Sequence, residues 1–243
     1  MSVGGDGVAL VVGASGAFGA AVSRLLDRRG YRVALHYTTG KERAGKVAAE
    51  LSRPGTLVQA DIADWDSTKA MVDEVAGRLG AVSVLVNSGA VRRDGLMATQ
   101  SVDDWSRTMN VNLLGTFHAC RAVLPAMLRG RWGRIVNVVS PAGLIGSRGQ
   151  TAYSASKAGV IGMTRSLALE CGRRKVTVNA LSPGLMASEL TSGVPEDVRD
   201  GLVARTAFGR AAAPEEIACG MELLLDADYM TGQVLSIDGG ISV

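Results

Sequence analysis

Val8-Ala9-Leu10-Val11-Val12-Gly13-Ala14-Ser15-Gly16-Ala17-Phe18-Gly19 sets a short apolar run directly against a glycine-rich turn. An apolar run of this length bounded by glycine reads as a buried strand. Residues 20–29 then place apolar side chains at helical spacing. Strand, glycine-rich turn and helix in that order make a dinucleotide-binding context. The glycines let the backbone approach a pyrophosphate, and the helix N-terminus offers free N–H groups to it. Gly13, Ser15, Gly16, Ala17, Phe18 and Gly19 are the candidate contacts. A tight strand–helix turn without ligand is the competing reading.

Outward from this stretch, apolar runs and helical patterns alternate to the end of the chain. Strands are predicted at 32–37, 57–61, 82–86, 133–140, 176–181 and 234–237, and helices at 42–52, 65–79, 101–129, 151–171 and 214–225. Such alternation means a parallel sheet covered on both faces. The predicted fold is α/β: one Rossmann-type doubly wound parallel seven-stranded sheet with helices on both faces, a single domain over 1–243. Residues 185–208, with Gly193 and Pro195, read as a loop-rich insertion suited to a substrate lid. Asn110 and Asn112 fall inside the predicted helix 101–129, where asparagine is a poor helix former. One of them is expected to disrupt the helix, and Pro125 to bend it again. The apolar ending Gly239-Gly240-Ile241-Ser242-Val243 is expected to pack rather than fray.

The strand ends supply further candidates. Between Tyr31 and Lys41 there is no acid to hold a ribose 2′-hydroxyl. Tyr37, Thr38 and Thr39, with the Lys41 charge, suit a 2′-phosphate instead, which favours NADP(H) over NAD(H) without excluding the latter. The same hydroxyls and lysine also fit plain solvated surface. Asp61 and Ile62 near an adenine, and Asn87, Ser88 and Gly89 near a ribose, are plausible because ligands bind at the carboxyl ends of strands. Asp61 and Asn87 could equally cap the next helix or turn.

Chemistry enters at Tyr153-Ser154-Ala155-Ser156-Lys157. On a helix, residues four apart share a face. An ammonium beside a phenol favours the phenolate and lowers its pKa from near ~10. Tyr153 then serves as acid or base near neutral pH. Ser140 lies upstream, just after an apolar run, and could hydrogen-bond a substrate oxygen.

Bulk properties exclude several classes. The chain has 243 residues, is 47% hydrophobic and carries net charge +3. Its cations are spread along the chain, so no nucleic-acid footprint is expected. Cys120, Cys171 and Cys219 are odd in number and widely spaced, against a disulfide framework or metal site. No metal is expected, and a reducing cytoplasm is the simplest home. The apolar run after Gly7 follows Asp6 rather than a basic segment and is broken by glycine and serine. It therefore reads as neither an export signal nor a membrane span.

Taken together, the early glycine-rich turn, Asp61, Asn87, Asn112, Ser140, Tyr153, Lys157 and Pro183-Gly184 resemble the short-chain dehydrogenase/reductase family over the full length. Within it the chain is most similar to the 3-oxoacyl-[acyl-carrier-protein] reductases. The likeness lies in segment 112–127, in Gly149-Gln150, and in the ending from Thr231-Gly232-Gln233 to Gly239-Gly240. Departures sit in the cofactor half. Val12-Gly13 replaces the usual Thr-Gly, and Ala17 stands for the middle glycine. Gly16 stands where an arginine often serves the 2′-phosphate. Asn87-Ser88-Gly89-Ala90 replaces Asn-Asn-Ala-Gly, and Ser188 replaces a threonine that holds the nicotinamide amide.

The resemblance implies a catalytic set of Asn112, Ser140, Tyr153 and Lys157. Tyr153 and Lys157 also face the cofactor, with Pro183, Gly184, Met186 and Ser188 nearby. It implies NADPH-dependent reduction of a 3-oxoacyl thioester to the 3-hydroxyacyl product in fatty-acid or polyketide synthesis. Ser140 and Tyr153 bind the carbonyl oxygen, Tyr153 gives the proton, and Asn112 holds a water that relays protons to Lys157. An acyl carrier protein is the implied partner, docking on Arg129, Arg131, Arg173 and Arg174, which also fit ordinary solvated helix ends. A homotetramer or dimer is implied, through 113–128, 158–169 and the C-terminal strand. A small-molecule alcohol or sugar dehydrogenase on the same scaffold, and a non-catalytic nucleotide-binding protein, are the alternatives.

Overall fold

The computed structural model describes residues 6–187 and 196–243, with backbone alone for 196–199. The first half runs β1 (Val8–Val12), α1 (Ala17–Arg28), β2 (Arg32–Tyr37), α2 (Lys41–Glu50), β3 (Thr56–Gln59), α3 (Trp65–Leu79) and β4 (Val82–Asn87). The second half runs α4 (Val102–Met109), a π-turn (Asn110–Leu114), α5 (Gly115–Gly130), β5 (Gly133–Val138), α6 (Ala142–Ile145) and α7 (Thr151–Cys171). It continues with β6 (Val176–Pro183), α8 (Glu196–Ala204), α9 (Pro214–Ala218), α10 (Gly220–Asp226) and β7 (Val234–Ile237). The seven strands form one sheet in the order β3-β2-β1-β4-β5-β6-β7, and every pairing is parallel.

The period of two along each strand divides the core. From β1, Ala9 and Val11 face a layer formed by α1, α9 and α10, where Leu26, Ile217, Met221 and Leu224 are buried. Val8, Leu10 and Val12 face the opposite layer, where α3 contributes Met71 and Val75 and α5 contributes Val123 and Met127. A strand buried on both faces must be apolar throughout, which is why 8–12 carries no alternation. Asp64 caps α3 by accepting from the Ser67 N–H at 2.7 Å. The stretch Val102–Gly130 is long and apolar enough to cross a bilayer by length and composition, and 50% of its most apolar window is buried inside the protein.

Several boundaries differ from those predicted. Helix 101–129 is divided by the π-turn, so an asparagine pair does mark the disruption. Pro125 lies within a continuous α5. Helix 214–225 is two segments, Pro214–Ala218 and Gly220–Asp226; a Cβ on Gly220 would stand 2.2 Å from Ile237 Cδ1, so glycine lets the second pack on β7. The short α6 has too few residues to show a period. In 185–208, α8 occupies ground read as loop, while Ser188, Gly193 and Pro195 lie outside the described residues. At the C-terminus Ile241 packs at the edge of a cavity, whereas Val243 is fully exposed.

Candidate active site

The chain order reverses at β1: β2 and β3 lie to one side and β4 to β7 to the other. Open α/β sheets bind ligands at the carboxyl ends of strands at such a switch point. A cavity of about 280 Å³ lies there, with Ala17, Phe18, Ser140, Tyr153, Lys157 and Gly184 among its walls.

Its nucleotide wall is the turn after β1. Gly13 has φ +78°, and a Cβ there would stand 2.6 Å from the Gly89 backbone. A Cβ on Gly19 would stand 2.3 Å from the Gly13 carbonyl oxygen. Neither position accepts a side chain, and the closeness lays the bare backbone against the cavity. Gly16 is different, since its Cβ would meet only the Gly13 oxygen at 3.5 Å, an ordinary contact. Phe18 is buried beneath the turn. A Cβ added at Gly40 would come within 2.9 Å of the Ser15 hydroxyl, so Ser15 meets the loop after β2. Thr38 and Thr39 are exposed in that loop, and Tyr37 is buried behind them.

Other predicted contacts are placed as follows. The Asp61 carboxylate accepts from the Ala63 N–H at 2.9 Å and lies 3.9 Å from Arg107, so its present role is a turn cap. Ile62 is buried, with its carbonyl 2.9 Å from His118 Nδ1. Asn87 donates to Asn137 Oδ1 at 2.9 Å, and Asn137 donates to Thr164 Oγ1 at 2.9 Å, a buried polar line across β4, β5 and α7. The Asn87 Oδ1 is buried without a hydrogen-bond partner among the described residues. Ser88 donates to the Val12 carbonyl at 2.6 Å. Gly184 lets the end of β6 approach Asp238, since a Cβ would stand 2.4 Å from its Cα. An unpartnered buried acceptor, two glycines closed to side chains and a cavity at the switch point fit a nicotinamide dinucleotide.

His36 holds this wall in place, a role that its position in an apolar strand did not signal. Gly13 N–H donates to His36 Nδ1 at 3.1 Å, and His36 Nε2 lies 3.1 Å from the Ala60 carbonyl. Nδ1 accepts, so Nε2 carries the proton and donates to Ala60. Burial pushes the imidazole pKa below its ordinary value, against smaller opposing effects of the Ala60 bond and Asp61. The sign follows: a base with a depressed folded pKa stabilises fully above the free value of ~6.5 and loses that contribution as pH falls through the folded value. Dinucleotide affinity is expected to fall on the same acid limb. His36→Leu should weaken binding roughly tenfold at pH 8, since it orphans the Gly13 N–H. His36→Asn should remove the acid limb, and a calorimetric titration across pH reads both effects.

The catalytic wall is α7. Tyr153 and Lys157 share one face, with Lys157 Nζ 5.7 Å from the centre of the Tyr153 ring. Ser140, two residues beyond β5, lines the cavity with Tyr153, and its hydroxyl accepts from the Ala142 N–H at 3.2 Å. Lys157 is buried and donates to the Val138 carbonyl at 2.8 Å. A Cβ on Gly143 would stand 2.8 Å from Lys157 Cβ, so glycine lets α6 close over this side chain. Burial lowers the Lys157 ammonium to about 8. Burial also raises the Tyr153 phenol, partly offset by the Ser140 hydrogen bond and the Arg92 charge. The expected lowering by Lys157 is not what sets the phenol: the ammonium bonds a carbonyl and is not among the charges that shift it. A phenol held above its ordinary value keeps its proton at neutral pH, which suits an acid that donates as charge develops on a bound oxygen.

Asn112 lies in the π-turn. Its Nδ2 donates to the Val91 carbonyl at 2.9 Å and to Ser156 Oγ at 3.2 Å, and its Oδ1 accepts from the Val91 N–H at 2.8 Å. It thus ties the loop after β4 to α7 beside Tyr153. Arg129, Arg131, Arg173 and Arg174 are exposed and adjacent, with Arg131 reaching the Arg173 carbonyl at 3.4 Å. They sit at the amino ends of β5 and β6, roughly 20 Å of strand from the cavity. Arg92, Gln150 and Arg205, which the sequence did not mark as site residues, line the cavity. Met186 also lines it, and Ser188 lies outside the described residues.

A nucleotide wall facing a Ser-Tyr-Lys wall at the switch point of a parallel sheet defines a nicotinamide-dependent oxidoreductase. The family model for short chain dehydrogenases matches residues 7–199, and the chain belongs to that family. Among its relatives, the 3-oxoacyl-[acyl-carrier-protein] reductase FabG of Staphylococcus aureus strain Mu50 is 37% identical over 238 residues, covering 96% of this chain and 97% of the relative. The Thermotoga maritima protein of the same name is 37% identical over 97% of this chain and 98% of its own length. Carbonyl reductase family member 4 of Xenopus tropicalis is 36% identical over 97% and 98%. The protein is an oxidoreductase acting on ketone or hydroxyl groups, with a nicotinamide cofactor.

Proposed function

We propose that the protein reduces the ketone of a 3-oxoacyl thioester, carried on an acyl carrier protein, to the 3-hydroxyacyl product with NADPH, in fatty-acid or polyketide synthesis. The observation that carries this reading is the meeting of Ser140, Tyr153 and Lys157 in one cavity with the glycine wall. The names of the bacterial relatives support the substrate class.

Bound NADPH supplies the hydride. The turn Gly13–Gly19, Asn87 and Lys157 would hold the dinucleotide, with Thr38, Thr39 and Lys41 at the 2′-phosphate. Ser140 and Tyr153 hold the ketone oxygen, and Tyr153 donates its proton there. Lys157 then returns a proton to Tyr153, and Asn112 keeps the path behind Lys157 in place. Residues 185–208 close as a lid. Exposed Leu114 in the π-turn, Phe117 on α5 and Leu169 on α7 support a homotetramer. In that assembly a carrier protein on Arg129, Arg131, Arg173 and Arg174 serves a neighbouring copy's cavity, since those arginines lie at the far end of this copy's sheet. The enzyme works in the cytoplasm.

The test is cofactor oxidation with acetoacetyl and longer 3-oxoacyl thioesters, using NADPH and NADH in parallel. Turnover with NADPH is expected. Reversing charge at Arg131 and Arg174 should slow carrier-bound substrate more than a small thioester, and equal losses would refute the docking surface. The Xenopus relative, named a carbonyl reductase, favours a second reading in which small ketones are the substrates. Preference for free ketones over thioesters would select it.

A further inference from the structure

Two ties hold the loop after β4 to α7, and they bracket Tyr153. In the first, Asn112 joins Val91 to Ser156, and Ser156 Oγ donates to the Tyr153 carbonyl at 2.7 Å. In the second, Gly95 N–H donates to the Gly149 carbonyl at 2.8 Å, and Gln150 Nε2 donates to Asp94 Oδ2 at 3.2 Å. Ser156 lies three residues after Tyr153, and Gln150 three before it. Arg92 falls between the tied points Val91 and Asp94 and lines the cavity together with Tyr153.

The same clip orients the Arg92 guanidinium. Its Nε lies 3.2 Å from Asp94 Oδ2, the oxygen that Gln150 also bonds. Arg92 stands on the cavity wall and Asp94 does not, so the pair turns its positive end toward Tyr153. A cation near a phenol favours the phenolate, and an anion opposes it. Each charge acts on Tyr153 in that direction: Arg92 favours loss of the phenol proton and Asp94 disfavours it. Among the described residues, the other cations nearby are Lys157 on the same helix, bonded to the Val138 carbonyl, and Arg205 on the cavity wall. Arg148 is exposed in the segment that enters α7. On α4, which packs against α7, Asp104 bonds Ser101, Arg107 lies against Asp61, and Asp103 is exposed.

We propose that Arg92 and Asp94 are positioning residues that set, with opposite signs, how readily Tyr153 releases its proton, and so the pH range in which the enzyme works in each direction. The inference rests on Tyr153 as the acid in the reading above, whichever ketone is reduced. Both side chains act through their charge and take no part in the proton transfer. In alcohol oxidation the Tyr153 phenolate accepts the hydroxyl proton while the hydride passes to NADP+, so at low pH the rate follows the phenolate fraction. Without the Arg92 charge there is less phenolate at a given pH, and the rising limb moves to higher pH. Without the Asp94 charge it moves to lower pH.

The test is the pH profile of the single-turnover rate at which NADP+ oxidises the 3-hydroxybutyryl thioester of N-acetylcysteamine. On the rising limb, Arg92→Gln should lower the rate about threefold or more, and Asp94→Asn should raise it by a similar factor. Asparagine keeps an acceptor for Gln150 and Arg92, so the clip stays closed. Arg92→Lys should restore most of the wild-type profile. Arg93→Gln, at an exposed position 3.9 Å from Asp104, should match the wild type. A merely structural role would slow both variants at every pH and cannot displace their limbs in opposite directions. Limbs that coincide with the wild type, or that move the same way in both variants, would overturn the proposal. Should the thioester not be oxidised at all, the substrate reading fails and the phenol is titrated directly by NMR. With tyrosine carrying 13C at Cζ, the Tyr153 signal is the one missing from Tyr153→Phe. Titration at higher pH in Arg92→Gln and at lower pH in Asp94→Asn upholds the role of the pair, and coincident titrations overturn it.

Discussion

Tyr153→Phe should cost at least ~100-fold in the rate of ketone reduction while leaving dinucleotide affinity close to that of the wild type. The substitution removes one oxygen from a ring whose face is already packed beside Lys157. What is lost is the phenol proton that faces the cavity beside Ser140. Ser140 can still bond the ketone oxygen but is a far weaker acid than a phenol, so charge developing on that oxygen goes unquenched. Paired measurements of cofactor binding and single-turnover reduction check this, and a fully active variant would refute the assignment of Tyr153 as acid. A variant that lost binding and turnover together would instead make the ring a structural element of the nucleotide wall.

The second large effect is expected from Gly19→Val. A Cβ at this position already stands 2.3 Å from the Gly13 carbonyl oxygen, and the branched side chain adds two more carbons there. Helix α1 cannot yield outward cheaply, because Leu25 and Leu26 on the same helix are buried in the core. The turn must therefore open and carry Gly13 away from Gly89. Overpacking of a tight site costs about 1–3 kcal/mol in stability, and dinucleotide binding should fall by more than ~100-fold, beyond ready detection. Gly16→Ala is the control, since only an ordinary contact awaits its Cβ. Thermal unfolding with and without cofactor separates the two losses, because the cofactor-induced rise in Tm should vanish for Gly19→Val and persist for Gly16→Ala. Equal cofactor-induced rises in both would defeat the reading of this turn.

Local physics explains which parts of this architecture the sequence disclosed. β1, α3 and α7 follow from apolar period alone: the predicted 65–79 and 151–171 match the observed helices. Tyr153 and Lys157 were legible for the same reason, since four residues on a helix is a spatial statement. Ser140 was legible only through its place after an apolar run. Other functional features arise from distance in sequence. Nothing local marks His36 as the acceptor for Gly13, which needs β1, β2 and β3 side by side. Arg92 borders the cavity only because the sheet brings the end of β4 beside α7. The pKa of Tyr153 went the other way from the expected shift because a sequence shows the neighbouring charge but not the loss of water around the ring.

The place of β1 as the strand where the chain order reverses bears on how the chain is made. Synthesis delivers β1, β2 and β3 before any residue of the opposite flank exists. One half of the sheet, with α1, α2 and α3, is then available for assembly while Ser140, Tyr153 and Lys157 are still untranslated. Throughout that interval the far side of β1 is an unsatisfied parallel edge, a template for stray strands from other nascent chains. Val82–Asn87 closes it by pairing along the whole of β1. The open edge then passes to β4 until β5 pairs with it.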